Sequence, residues 1–268
     1  MKQESFVAPK GRKTLPLREI VLPHQCPLPV RLGVLGRASY FAGLEAGELE
    51  QVDARMSTFV YDAGETVHRA GEPATELCVV AEGRVKLSQI SANGTETVTD
   101  ILVPGELFGA MGSLGQPRHL QSAHALVPSC ILKVGQGDFR QILEEHPAVA
   151  LRVLDDVAGR LGQAHAEIGG QHTQTVKERV ATALLRLADK LGERNEKGVL
   201  LEVPLSRADL AGLARTTPES ASRVMSEWKK LGVIQSGRRW TALVDTEFLV
   251  AEAGLARDGA SAPSSAAK

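Results

Sequence analysis

Residues 206–231 read SRADLAGLARTTPESASRVMSEWKKL, a segment dense in capping, turn and hydrogen-bonding side chains. Ser206 with Asp209 three residues on is a capping-box-like start. Leu210 and Leu213 supply the buried face of a first short helix, and Ala214, Arg215 and Thr216 make a turn. Thr217 is a good N-cap, Pro218 a good first helical residue, and Glu219 suits the positive end of a helix dipole. The second helix runs to about Lys230, with Ala221, Val224, Met225 and Trp228 facing inward. Two short helices joined by a turn of about three residues, the second starting with polar residues, form a helix-turn-helix. After Gly232, VIQSGRRWTALVD alternates around Ser236-Gly237 like a hairpin, a wing whose Arg238 and Arg239 can reach phosphates.

Other chemistry is sparse. There is no phosphate-cradling glycine loop with lysine, no zinc-ligand spacing and no nucleophile motif, so an enzyme is not expected. The three cysteines, Cys26, Cys78 and Cys130, are far apart in sequence and odd in number, which argues against a disulfide framework. Cys78 and Cys130 sit in the apolar runs ELCVV and SCILKV and read as buried core thiols. Reduced thiols, the lack of a ~18-residue apolar run and a polar, basic N-terminus together suit a cytoplasmic chain with no membrane segment. The net charge of −1 hides an asymmetry of about +3 over 171–257 and about −4 over 1–170, which suits DNA binding at one end.

The elements that would position these residues follow from period and punctuation. At 268 residues the chain has room for two domains. Residues 1–36 are expected to be a flexible arm. Residues 43–56 have helix character, with Leu44, Leu49 and Val52 able to share a face. Over 57–134, short β-type runs alternate with turn signals, which predicts an antiparallel roll or barrel within a domain spanning 37–146. Asn93-Gly94 suits a two-residue hairpin turn. Residues 137–146 read as a short helix. From Pro147 to Gly170 the period becomes seven. Ala150, Leu154, Val157, Leu161, Ala164 and Ile168 form an a/d stripe that fits a dimer seam, with Asp155 and Asp156 beside it. Gly169-Gly170 then breaks the helix. Residues 174–191 are a strongly amphipathic helix, GERNEKG is a polar loop, and VLLEVPL an apolar strand. The DNA-reading domain is placed at 171–257, and 258–268 is expected to be a disordered tail. The fold class is therefore α+β.

The order of β-roll, long dimer helix and C-terminal winged helix, over roughly 37–250, resembles the Crp/Fnr family of transcription regulators. The string Glu219, Ser220, Ala221, Ser222, Arg223 is similar to the Glu-x-x-Ser-Arg pattern of the family's Fnr branch. The resemblance implies that Arg223 donates two hydrogen bonds to a guanine edge. It also implies that Glu219 accepts from a cytosine amino group and helps orient Arg223, and that Ser222 meets a base edge or thymine methyl. A homodimer on a TTGAT-type palindrome of double-stranded DNA would follow, with RNA polymerase as further partner. One departure stands at the turn, where Arg215 occupies a position that is usually glycine. A non-glycine residue at positive φ costs about 1 kcal/mol, so either the turn is slightly altered or Arg215 takes that conformation and repays the strain through a phosphate contact.

For the sensor, the resemblance points to FGAMGSLGQPRHLQSAHAL as the effector region. Gly109 is kept, but Ala110 stands where cyclic-nucleotide binders carry Glu, and Gln121, before Ser122-Ala123, stands where they carry Arg. Gln cannot replace a permanently charged guanidinium at a phosphate, so cyclic AMP is not the expected effector. Arg118 lies nearby at the wrong spacing. A four-iron cluster is not expected either, because Cys26 alone represents the cysteine-rich N-terminal stretch of the Fnr branch, and His24 does not complete a ligand set. Haem is left open through Met111, His119 and His124 in the roll. The other histidines, His68, His146, His165 and His172, single out no ligand. Redox sensing through Cys26 in a mobile arm is another option, and so is an unknown small ligand. The competing readings are a chain whose main task is small-molecule or haem sensing, with DNA binding secondary, and a regulator that does respond to a cyclic nucleotide.

Overall fold

The computed structural model describes residues 26–90, 96–109, 117–170, 174–237 and 240–255; within the helix ending at Gly170 the side chains of 160, 161 and 163–170 are not described. The described residues fall into two compact units, the first ending at Gly170 and the second beginning at Gln174.

The first unit holds two four-stranded sheets. One has the order β1(Ser57–Tyr61), β8(Ser129–Gly135), β3(Glu76–Glu82), β6(Leu107–Gly109). The other has the order β2(Thr66–His68), β7(Ser122–Ala125), β4(Val85–Ile90), β5(Glu96–Leu102). Every pairing is antiparallel. Side chains of a strand point alternately to opposite faces, and in β3 and β8 both faces are covered. Cys78, Val80, Phe108 and Ile131 join a cluster with Val85, Leu102 and Ala123 of the facing sheet. Leu77, Val79, Ala81, Cys130, Leu132 and Val134 enter a second cluster packed under helices. Two-sided burial is why ELCVVA and SCILKV are nearly continuous apolar runs rather than alternating ones. Cys78 and Cys130 are both buried, as expected, but on opposite faces of the sheet.

The helices over the second cluster are α1(Leu28–Leu35), α2(Ala46–Ala54), α3(Gln136–Glu145) and the first turns of α4(Pro147–Gly170). The flexible arm expected over 1–36 is corrected in its last third. Residues 28–35 are helical because Val34 and Leu35, with Ala38, Tyr40 and Phe41 just beyond, bury on the sheet. Cys26 is likewise buried rather than carried on a mobile arm. The Asn93-Gly94 turn lies outside the described residues, although Ile90 pairs with Glu96 on either side of it.

The second unit comprises α5(Val176–Leu191), β9(Gly192–Asn195), β10(Gly198–Leu201), α6(Arg207–Leu213), α7(Pro218–Lys230), β11(Ile234–Ser236), β12(Thr241–Leu243) and α8(Thr246–Glu252). Its sheet has the order β11-β12-β10-β9. GERN, expected to be loop, is the edge strand β9. Its backbone pairs with β10 from Gly192↔Leu201 to Gly198↔Asn195, while its charged side chains stay exposed. Charged residues on an edge strand are a common guard against further strand addition, so polarity alone misread it. α5 starts at Thr175 with a full capping box to Glu178.

Arg31 of α1 donates to both carboxylate oxygens of Asp53 in α2, at 2.8 and 2.6 Å. Asp53 is 6% exposed. Removing the guanidinium leaves a buried carboxylate without its partner. Arg31→Ala is therefore expected to destabilise the first unit by about 2 kcal/mol, read from the shift in its urea unfolding midpoint.

Candidate nucleic-acid interface

Local capping sets the ends of α6 and α7. Ser206 accepts from the Asp209 N–H at 3.0 Å while Asp209 accepts from the Ser206 N–H at 2.8 Å, the reciprocal box expected from the sequence. At the other end, the Thr216 N–H reaches Ala211 O at 2.9 Å and the Arg215 N–H reaches Gly212 O at 3.0 Å. These two bonds make a Schellman motif, whose C′ residue sits in the left-handed region. That residue is Arg215, with φ 48°, and no other described non-glycine residue has positive φ. Of the two outcomes foreseen for this turn, the backbone keeps its shape and the arginine takes the strained conformation.

Arg179 of α5 fixes the same corner. Its Nε donates to Ala214 O at 3.1 Å, and another guanidinium nitrogen donates to Gln174 O at 2.6 Å. Sequence reading passed over Arg179, because nothing local marks an arginine as the cap of a helix that starts 28 positions later. α7 then begins where expected. Thr217 accepts from the Ser220 N–H at 3.2 Å, and Pro218 is the first helical residue.

The amphipathic division of α7 decides what it presents. Ala221, Val224, Met225 and Trp228 are buried, and the Trp228 indole meets Phe248 edge-on at 6.3 Å between centroids. On the opposite side Thr217, Glu219 and Arg223 are exposed, and Ser220 and Ser222 are half-buried. Glu219, Ser222, Arg223, Ser226 and Lys230 line one shallow concavity along this outer face. The Glu219 carboxyl is held below the usual carboxylate range, first by its own backbone N–H at the helix start, then by the Thr217 hydroxyl and the charge of Arg223. Its anion therefore stands one helical turn before a cation. Lys229 Nζ donates to Ser236 O at 3.2 Å and ties the helix to the wing strand β11. Arg238 and Arg239, the expected wing contacts, lie outside the described residues.

Helix α4 has two faces. Val149 and Val153 are buried in their own unit, and Asp156 accepts a hydrogen bond from the Tyr40 hydroxyl at 2.8 Å. Asp156 is thus tied to the part of the helix that packs on its own unit. Leu154 and Val157, expected in the seam, are 63% and 48% exposed, and Leu151, which the heptad reading missed, is 64% exposed. Leu151 precedes Leu154 by three residues, a spacing that would have placed it on the same strip. The side chains of Leu161, Ala164 and Ile168 lie outside the described residues.

In the roll, Gly109 has φ 93°, and a Cβ there would stand 2.9 Å from Glu76 O, so the glycine is required. Ala110 and Met111 lie outside the described residues. Gln121 Nε2 donates to Thr99 Oγ1 at 2.9 Å, and that hydroxyl donates to Leu87 O at 3.2 Å. Ser122 Oγ accepts from the Ala70 N–H at 3.0 Å. Arg118 donates to Gly71 O at 2.6 Å. Beside Gly109, the rings of His68 and His119 stack at 3.7 Å and 8°. Burial, and then the charge of His119, push His68 down to about 4, and burial also lowers His119. This pair could not be foreseen, since 50 residues separate its members. His124 stands apart from it, with Nδ1 3.2 Å from Thr66 Oγ1.

Comparison with known proteins matches the two units separately. Residues 58–146 match the cyclic nucleotide-binding domain family and residues 178–252 the Crp-like helix-turn-helix domain family. The cyclic AMP receptor protein of Thermus thermophilus is 31% identical over 191 residues, covering 70% of this chain and 85% of that protein. The transcriptional activator protein FnrL of Cereibacter sphaeroides is 27% identical over 220 residues, covering 80% of this chain and 86% of that protein. Among solved structures, FixK2 from Bradyrhizobium japonicum superposes with a TM-score of 0.63 at 25% identity, covering 72% of this chain and 95% of that one.

The corner at Arg215 generates a test. Arg215→Gly relieves the left-handed strain of an L side chain and is expected to stabilise the second unit by about 1 kcal/mol, seen as a higher melting temperature. Gly232→Ala, at φ 77° in the matching corner after α7, is expected to lower it.

Proposed function

The chain belongs to the Crp/Fnr family of transcription regulators, and on that premise we propose that it reads a TTGAT-like palindrome as a homodimer, under a signal received at the β-roll. The observation that carries this reading is the outer face of α7. Within a Crp-like helix-turn-helix, the exposed Glu219 and Arg223 and the half-buried Ser222 share the helix face opposite Trp228. Arg223 is assigned to a guanine edge through two donors, Glu219 to a cytosine amino group, and Ser222 to a base edge or thymine methyl. Thr217 and Ser220 at the helix start, with Arg238 and Arg239 of the wing, are assigned to the phosphates that set the register.

Dimerisation is assigned to the outer strip of α4. Leu151, Leu154 and Val157 expose apolar surface that water disfavours, and the heptad continues through Leu161, Ala164 and Ile168. A second copy of α4 is the occupant, because a two-fold site needs two recognition helices about one DNA turn apart. In the roll, the Gln121 amide is hydrogen-bonded to Thr99 and carries no charge. That supports an effector other than a cyclic nucleotide held by a guanidinium–phosphate pair. No enzymatic step is proposed. RNA polymerase is proposed as the further partner, and the cytoplasm as the site of action.

Fluorescence anisotropy with a labelled TTGAT palindrome tests the reading. The wild-type chain should bind the palindrome far more tightly than a scrambled duplex, and affinity should fall steeply with salt as counterions are released. Arg223→Ala is expected to cost about 1–3 kcal/mol and to relax discrimination at one base position. Unchanged affinity and specificity in that variant would remove Arg223 from the interface. Leu154→Glu should give a monomer by sedimentation and weaken palindrome binding with it; a variant that stays dimeric would displace the seam from this face.

A further inference from the structure

Cys26 and Cys130 are 104 positions apart and yet meet. Cys26 lies just before α1, and its backbone carbonyl accepts from Arg31 at 3.1 Å, while Arg31 is itself pinned to Asp53. Cys130 lies on β8 between β1 and β3, opposite Val60 and Glu82. Both side chains belong to the cluster between the sheet and its helices, and the two thiols are side-chain hydrogen-bond partners. Cys78, on the neighbouring strand β3, points to the other face of the sheet and belongs to the other cluster. Cys26 retains 9% of its surface, whereas Cys130 retains none. The two form an isolated dithiol with one member at the edge of the core and the other behind it.

We propose that Cys26 and Cys130 are a redox modification site, converted by a small hydroperoxide into an intramolecular disulfide that fastens the entry of α1 to β8. In the first step the Cys26 thiolate attacks one peroxide oxygen. The O–O bond breaks, the alcohol or water leaves with a proton, and Cys26 becomes a sulfenic acid. In the second step the Cys130 sulfur attacks the Cys26 sulfur. The S–O bond breaks, and hydroxide leaves as water with the Cys130 proton. Two thiols are oxidised by two electrons and one peroxide is reduced.

Cys26 reacts first because it is the more accessible, and because the Cys130 hydrogen bond and the Arg31 charge favour its thiolate. Burial is the largest influence on both thiols and pushes both up. The oxidation is therefore slower than that of a free thiol at the same pH. The crosslink closes a loop of about 100 residues, which restricts the unfolded chain.

The test uses the full-length reduced protein, treated with hydrogen peroxide, then alkylated under denaturing conditions and mapped by peptide mass spectrometry. The expected product is one peptide pair linked through Cys26 and Cys130 with the loss of two hydrogens. Cys78 should remain alkylated, dithiothreitol should restore the starting state, and the oxidised protein should melt at a higher temperature. Cys78→Ser should crosslink as the wild type does. Cys130→Ser should leave Cys26 as a sulfenic acid that dimedone traps. A link involving Cys78, a link between chains, or over-oxidation of Cys26 without a crosslink would overturn the proposal. So would no reaction at peroxide levels that fully convert N-acetylcysteine over ten times the period. These readouts do not depend on DNA binding, so the dithiol and the operator reading stand or fall separately.

Discussion

Burial of one face of α7 governs what its other face can do. Trp228, Met225, Val224 and Ala221 are sequestered, and removing that much apolar surface from water outweighs any other orientation of the helix. Once the face is committed, the 3.6-residue period places Glu219, Ser222 and Arg223 together on the outside with no further instruction. The caps at Ser206 and Thr217 fix where each helix begins, and the Schellman bonds at Arg215 fix the angle between them. Precision at the outer face is thus inherited from packing and capping.

The same logic in the other unit yields a sheet with no solvent face along its central strands. Because β3 and β8 are covered on both sides, adjacent residues of one strand serve different cores. Cys78 faces the sister sheet and Cys130 the helices, and only Cys130 comes within reach of Cys26. Cys78 and Cys130, on adjacent strands of one sheet, would otherwise seem the natural pair. The pleat separates them, and the docking of α1 supplies a different partner. Arg31 contributes to that docking by holding both Asp53 and the Cys26 carbonyl.

Where the two faces of α4 diverge, the chain keeps apolar surface that its own fold does not use. Val149 and Val153 anchor the helix, Asp156 is bonded to Tyr40, and Leu151, Leu154 and Val157 are left outside. The β-roll shows a complementary economy of polar groups. Gln121, Thr99 and the Leu87 carbonyl form a continuous hydrogen-bonded run, so the Gln121 amide is part of the roll's internal bonding.

Local chemistry is legible in the sequence itself. Helix starts at Ser206, Thr217 and Pro218, the end near Lys230, the roll over 57–134 and the buried thiols at 78 and 130 all follow from signals a few residues long. Capping, turn conformation and side-chain periodicity act over that range. Even the positive φ of Arg215 was one of two outcomes the motif allowed. Tertiary structure alone decided the rest: that Leu28–Leu35 is a docked helix, that His68 stacks on His119, and that Cys26 meets Cys130. Each of these depends on groups brought together from distant positions. A contact across 50 or 100 residues leaves no period and no punctuation in the segments that make it, so only the closed fold reveals it.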